Sequence, residues 1–514
     1  MSRMKHLVKY LSLAVAFSGI LFLACPNGDQ GSVFPVENVL LNFYTAVPAP
    51  APPGGRVEIP LDLAGVIHTG YSANLDLEYD LLREMSARWV HRDFSWNRVQ
   101  PDLGCDVCEE DCAIDCATFE TIANNWNFEW LDEYVQRANR EGKLVMGMLL
   151  YDTPWIHRKY PREDRPTDGG EGRRREVRKE QVEYFVRYAV ETVRRYNRYV
   201  SEGGHGKVHS WFIWNEPCLQ PRFWTWEQED FFYLTYRTAK AIRPYTDAYI
   251  VGGVFSGHAL MDPSWIDGLL KSDAMDFLDG IGFHPYGPSP NAVRNFYDMF
   301  RNRVYQTAPD FVDKIWLNEI GYPTFPDRGS MPPGRMGIDQ YEGNMPEVVT
   351  QTFALLAAAG ARNIMWYHMF DRYNRDHGDN FNNSERWFGL VWQTHPERDW
   401  LRKGGYWGFA LSARHLPGTA YVEMDFFPDG SAPVRFQTHH FVGENGRRVL
   451  LAWNDCREHI REVTITLGSG SRDRRLWNVV DGSFGSIGTT STHRLYPLDS
   501  YQRTLVFITW YEDD

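Results

Sequence analysis

The chain has 514 residues, too many for one compact core, and a formal net charge of −13. That length implies two domains, and that charge excludes a nucleic-acid footprint, which needs a basic face. Apolar residues at 43% and charged residues at 24% fit a soluble globular protein. Aromatic residues reach 15%, with 19 Trp and 27 Tyr; these suit a large aromatic core or a sugar-binding cleft, and composition does not decide between them.

Lys5 and Lys9 precede the apolar run Leu11 to Ala24, which ends at Cys25. The run is short for a membrane span and fits a signal peptide over residues 1–24. A small residue followed by Cys resembles a bacterial lipoprotein cleavage site, which would lipidate Cys25. The chain is therefore expected to be exported and lipid-anchored to the cell envelope, or otherwise periplasmic or secreted. Any membrane contact would be through that anchor. Residues 25–60 read as a Pro- and Gly-punctuated linker. Within them Val39 to Tyr44 forms a candidate strand that would join the C-terminal β region.

From residue 61 to 416, apolar runs alternate with amphipathic stretches, the pattern of βα units on a parallel sheet. The runs are Gly65–His68, Trp89–Asp93, Leu144–Leu150, Ser210–Trp214, Ile250–Val254, Gly280–His284, Ile315–Asn318 and Ile364–Tyr367. Expected helices cover Leu75–Ser86, Leu131–Glu141, Val177–Tyr199, Glu229–Arg243, Trp265–Leu270, Ala292–Val304, Val348–Ala359 and Gly405–His415. Eight such units predict an α/β fold, a (β/α)8 TIM barrel. A doubly wound sheet is the rival, but no Gly-rich phosphate loop supports it. Residues 417–514 lose the helical period and show strand patterns between Gly, Asn and Asp turns, which predicts a smaller β-sandwich domain.

Export would place the seven cysteines in an oxidising compartment. Cys105, Cys108, Cys112 and Cys116 cluster after the second apolar run and are disulfide candidates; a four-thiolate zinc site is the alternative, with tight spacing. Cys218 and Cys456 either pair or stay free. No catalytic metal and no cofactor is expected.

Barrel chemistry sits where strands end. The fourth run ends Trp214-Asn215-Glu216-Pro217 and the seventh Leu317-Asn318-Glu319-Ile320-Gly321, which puts two carboxylates across one mouth. Glycosidic cleavage needs such a pair, one protonated to help the leaving oxygen and one ionised to attack the anomeric carbon.

Asn-Glu-Pro ending a fourth strand, with a second Glu ending a seventh, resembles the clan A glycoside hydrolases. Family 39 and its neighbours are most similar, given Phe223-Trp224 soon after. The resemblance implies retention, with Glu216 as acid/base and Glu319 as nucleophile. It further implies that Arg92 bonds the nucleophile and that Asn215 touches the sugar 2-hydroxyl. His284 and Tyr286 would be the sixth-strand dyad and Trp366 a stacking platform. Asp152 and Trp155, after the third run, lie on the same face and are further substrate-binding candidates; Trp96, Trp224 and Trp226 are candidate subsite residues. Plainer readings stand beside these: Arg92 paired with Asp93, His284 as a core histidine, Trp366 as barrel packing. The expected partner is a β-linked oligo- or polysaccharide. A transglycosylase and a non-catalytic carbohydrate-binding barrel are the alternatives.

Overall fold

The structure, a computed structural model, describes residues 36–43, 47–48, 57–67, 75–101, 126–153, 156, 177–325, 340–341, 343–371, 387–392, 400–425, 436–455, 460–496 and 504–512. Eight parallel strands close into a barrel in chain order: Ala64–Ile67, Trp89–Ser95, Leu144–Leu150, Ser210–Ile213, Tyr249–Ser256, Gly280–His284, Ile315–Ile320 and Ile364–Trp366. The helices that follow them are Leu75–Glu84, Glu129–Arg140, Val182–Arg195, Gln228–Ile242, Ser264–Leu270, Pro290–Thr307, Met345–Ala358 and Gly405–His415. This is the predicted (β/α)8 architecture. The third helix is shorter than its sequence pattern suggests. A 3-10 turn, Lys179–Gln181, precedes it, and Asn197–Arg198 leaves it to pair with Gly206–Lys207.

Side chains alternate across each strand because successive Cβ atoms point to opposite faces. Trp89, Met146, Met148, Phe212, Val251, Trp316 and Met365 turn into the barrel. Val90, Val145, Leu149, Trp211, Ile250, Ile281, Leu317 and Trp366 turn outward under the helices. Trp316 meets Trp89 at 5.6 Å and Phe212 at 5.8 Å, each edge to face. At the strand-start end Arg362 grips both Asp62 oxygens and lies 5.0 Å from the Trp316 ring. Large aromatics thus fill the lower barrel, and the working space is left at the end where the strands finish.

Beside the barrel stands a seven-stranded sheet. Its strand order is Phe484–Ser486, Arg472–Trp477, Leu505–Tyr511, Arg447–Asn454, Phe436–Gly443, Thr419–Val422 and Val57–Glu58. One of its faces, with Phe441, Val449, Leu451, Trp453 and Phe507, merges with the barrel core. The other face, with Leu450, Ala452, Val506, Ile508 and Trp510, packs on Val39, Leu41, Val463, Ile465 and Leu495. Those last residues belong to a three-stranded sheet, Val36–Asn42, Ile460–Thr466 and Thr490–Leu495, in which Val36–Asn42 runs parallel to Ile460–Thr466. The two sheets form the sandwich. Polar ties fix it to the barrel: the Glu347 carboxylate accepts from the Thr504 amide at 2.7 Å and from its hydroxyl. Arg447 also donates to the His415 and Pro417 carbonyls at 2.8 and 3.0 Å.

Three imidazoles, His439 and His440 buried and His415 half-buried, are part of this junction and sandwich. His415 lies 4.8 Å from Trp477, His439 stacks on Trp453 at 4.8 Å, and His440 stacks on Trp510 at 5.8 Å. Burial pushes all three down to about 3, with nearby arginines adding to the effect.

Candidate active site

The fourth strand stops at Ile213 because the next residues leave the extended region. Trp214 has φ 66° and Glu216 φ 45°, and on the adjoining fifth strand Val254 has φ 32°. Left-handed backbone is uncommon outside glycine and an outlier for a β-branched residue. It costs about 1–3 kcal/mol per residue and persists where surroundings impose it. Here they do. Trp214 is wedged against Tyr151 at 5.4 Å, Trp224 at 5.3 Å and Phe185 at 5.7 Å. Its indole donates to the Phe223 carbonyl at 2.8 Å, and the Glu216 amide donates to the Val254 carbonyl at 2.9 Å. Just past Glu216, the free thiol of Cys218 lies 3.3 Å from the Ser256 hydroxyl, and burial pushes it up to about 11.

The result is a constellation at the barrel mouth. Glu216 is 8% exposed, and its Oε1 lies 2.8 Å from His284 Nδ1. The other carboxylate, Glu319, accepts from the Tyr286 hydroxyl at 2.6 Å and has Oε2 3.8 Å from the same His284 Nδ1. One imidazole nitrogen therefore touches both groups. Laid end to end, its two distances bound the Glu216 Oε1 to Glu319 Oε2 separation at about 6.6 Å. The bound places the two carboxylates near enough to flank a single bond. Burial alone would lower the His284 pKa; the charge of Glu319 and the hydrogen bond and charge of Glu216 outweigh it and hold it above its ordinary value. Burial first, then the Glu319 charge, raises the Tyr286 hydroxyl well above its usual range, so Tyr286 remains a donor. Asn215, next to Glu216, is buried, and its Oδ1 has no hydrogen-bond partner among the described residues.

Two sequence expectations are corrected by strand alternation. Arg92 lies on the same face of the second strand as Val90 and Phe94, which pack outward. Its guanidinium sits 4.9 Å from the Trp130 ring and 5.2 Å from the Tyr134 ring, both on the outer helix Glu129–Arg140. Trp366 is fully buried on the outer face of the eighth strand, against Phe353 and Tyr322, so it offers no surface for a sugar. Trp96 and Trp224 are likewise fully buried in the core, and Trp226 packs partly buried against it. Asp152 is half-buried just beyond the third strand. Trp155, Cys25, Cys105, Cys108, Cys112, Cys116 and Cys456 lie outside the described residues.

With Trp89 and Met365 turned inward, strand parity names the residues that face inward in place of the corrected pair. Trp89 turns inward, so His91 and Asp93 share its face of the second strand; Met365 turns inward, and so does Tyr367. His91 is 4% exposed, and neither ring nitrogen has a hydrogen-bond partner among the described residues; Asp93 Oδ1 lies 3.6 Å from Nε2. Burial pushes the His91 imidazole down to about 4, against the pull of Asp93 and with a push from His284. Tyr367 and the half-buried Phe388 pack on the inward cluster, their rings 5.2 Å apart. The arrangement sets two carboxylates at one barrel end, one of them bonded by a tyrosine hydroxyl and the other by a histidine, a pair able to serve one bond as acid and as nucleophile or base.

Comparison with protein-family models and with curated proteins finds no match. Solved structures do match in fold. One is a family 39 glycoside hydrolase from the gut symbiont Bacteroides cellulosilyticus WH2, at TM-score 0.58 and 17% identity, over 88% of this chain and 81% of that one. A GH30 endoxylanase from Clostridium papyrosolvens C71 matches at 0.55 and 12%, over 93% and 100%. An alpha-L-arabinofuranosidase from Thermotoga maritima matches at 0.54 and 13%, over 92% and 99%. At these identities the likeness is one of fold.

Proposed function

We propose that this chain is a retaining glycoside hydrolase of the clan A type, resembling family 39 and its neighbours, that cleaves a β-linked oligo- or polysaccharide. The observation that carries the reading is the pair Glu216 and Glu319, bridged by one His284 nitrogen at 2.8 and 3.8 Å. The barrel shared with solved glycoside hydrolases supports it.

In the first step a Glu319 oxygen attacks the anomeric carbon, forming an ester. The bond from that carbon to the glycosidic oxygen breaks, and its electron pair stays on the leaving oxygen. That oxygen takes the proton held by Glu216. In the second step Glu216, now a carboxylate, takes a proton from water as the water oxygen bonds the same carbon, and Glu319 leaves with its pair. Tyr286 keeps the attacking oxygen oriented, and the His284 imidazole, 2.8 Å from Glu216 Oε1, orients the acid/base. Two inversions at one carbon give net retention.

The test is turnover of aryl β-glycosides with product anomer read by proton NMR. Glu319→Gln and Glu216→Gln are each expected to lower kcat by about a hundredfold or more. Azide is expected to restore turnover only in the Glu216 variant, as a β-glycosyl azide. Undiminished turnover in both variants, or an inverted first product, overturns the assignment. Export through residues 1–24 with lipidation at Cys25 belongs to the same proposal and rests on the sequence pattern alone.

A further inference from the structure

A lysine and an aspartate with side chains 1% exposed lie outside the catalytic constellation. Lys403 Nζ is 2.9 Å from both Asp371 oxygens and 3.1 Å from the carbonyls of Thr324 and Trp387. Asp371 Oδ1 also accepts from the Gly389 amide at 2.8 Å. The pair thus holds the backbone on both sides of Phe388, through the Trp387 carbonyl and the Gly389 amide. A buried ion pair is a poor source of net stability, because desolvation offsets its attraction. What this one does is fix one residue between its two grips.

Phe388 itself is half-buried and packs on the inward barrel cluster. Its ring is 6.0 Å from Tyr286 and 5.2 Å from Tyr367, and both meet it near the perpendicular rather than stacked. A Cβ added to Gly321, two residues past Glu319, would lie 3.1 Å from its Cδ1. The phenyl ring is therefore beside the tyrosine that donates to Glu319, and among the described residues it shares that end of the barrel with carboxylates, imidazoles and an amide. A half-buried apolar ring there favours the C–H face of a sugar, whose hydroxyls the polar groups take up.

We propose that Phe388 is the aromatic face on which the substrate sugar rests, and that the Lys403–Asp371 pair positions it. The proposal deepens the hydrolase reading and rests on it for the reaction, though not for sugar binding. The probes are 4-nitrophenyl β-xyloside and β-glucoside. Kinetics are measured for the parent, Phe388→Ala, Phe388→Trp and the charge-free double variant Lys403→Met/Asp371→Asn. Binding of the same glycosides to Glu319→Gln, with and without Phe388→Ala, is measured by calorimetry. Phe388→Ala is expected to raise KM and Kd about tenfold while kcat moves by less than about threefold, and Phe388→Trp to keep the parent KM within about threefold. The double variant is expected to show the KM rise of Phe388→Ala although the ring is still present. Lys403→Arg, which keeps the charge, is expected to recover part of it and gives a second reading of the pair where the double variant fails to fold. A KM and Kd unchanged within about twofold in Phe388→Ala overturn the platform. An unchanged KM in a folded double variant overturns the positioning role. A parent that binds these glycosides without turning them over, with Phe388→Ala weakening that binding, removes the hydrolase reading and leaves the platform standing. Absence of binding in every variant overturns both.

Discussion

The Tyr286 hydroxyl, 2.6 Å from Glu319, makes a charge-assisted hydrogen bond, worth roughly 1.5–3 kcal/mol when its acceptor is ionised. Tyr286→Phe keeps the ring on Phe388 and removes only that donor. It is expected to lower kcat/KM about 10- to 100-fold with the far-ultraviolet circular dichroism unchanged; a variant as active as the parent would show that Glu319 needs no such partner. At this scale the carboxylates and the sixth-strand pair could be read from the chain because strand ends are marked by Pro and Gly, as in Glu216-Pro217 and Glu319-Ile320-Gly321. Arg92 and Trp366 misled because a motif gives a residue's position along a strand and not the face it takes. Alternation from Trp89 and Met365, both inward, assigns those faces to His91, Asp93 and Tyr367 instead. Phe388 had no such signal, since its placement depends on Lys403 and Asp371, remote in sequence.

Among the elements, the seventh and eighth strands come together just above the site. A Cβ on Gly321 would run into the Tyr367 carbonyl, a backbone atom with no freedom to swing away. Gly321→Ala is expected to cost about 1–3 kcal/mol of stability and to separate the strand that carries Glu319 from its neighbour. The measurements are the urea midpoint and kcat/KM on the same preparation. An unchanged midpoint would mean that the strands already have slack there. Element identity was widely legible: eight apolar runs became eight barrel strands, and Gly405–His415 is a helix over its whole expected length. The boundaries that moved did so for local reasons. Trp214 leaves the strand by its left-handed φ, and Asn197 leaves its helix to pair with Lys207. Periodicity registers neither event.

For the molecule as a whole, the three imidazoles at the barrel junction and in the sandwich set a response to acid. Each is held at about 3 when folded against an ordinary value of about 6.5. Between those values the unfolded chain binds more protons, so stability rises with pH across the window and is lost as pH falls from about 6.5 toward 3. Each group contributes at most about 1.36 kcal/mol per pH unit there. The melting temperature is expected to drop steeply below pH 6, and His439→Gln to flatten that slope; parallel curves for parent and variant would assign the loss to other groups. The parallel pairing of Val36–Asn42 with Ile460–Thr466 has a different consequence. The sandwich is assembled from segments that lie before and after the barrel in the chain, so no single scission can release it whole. A chain begun at residue 61 would bare the backbone edge of Ile460–Thr466 and strip Val39 and Leu41 from its filling. Such a truncate is expected to self-associate in light scattering where the intact protein does not.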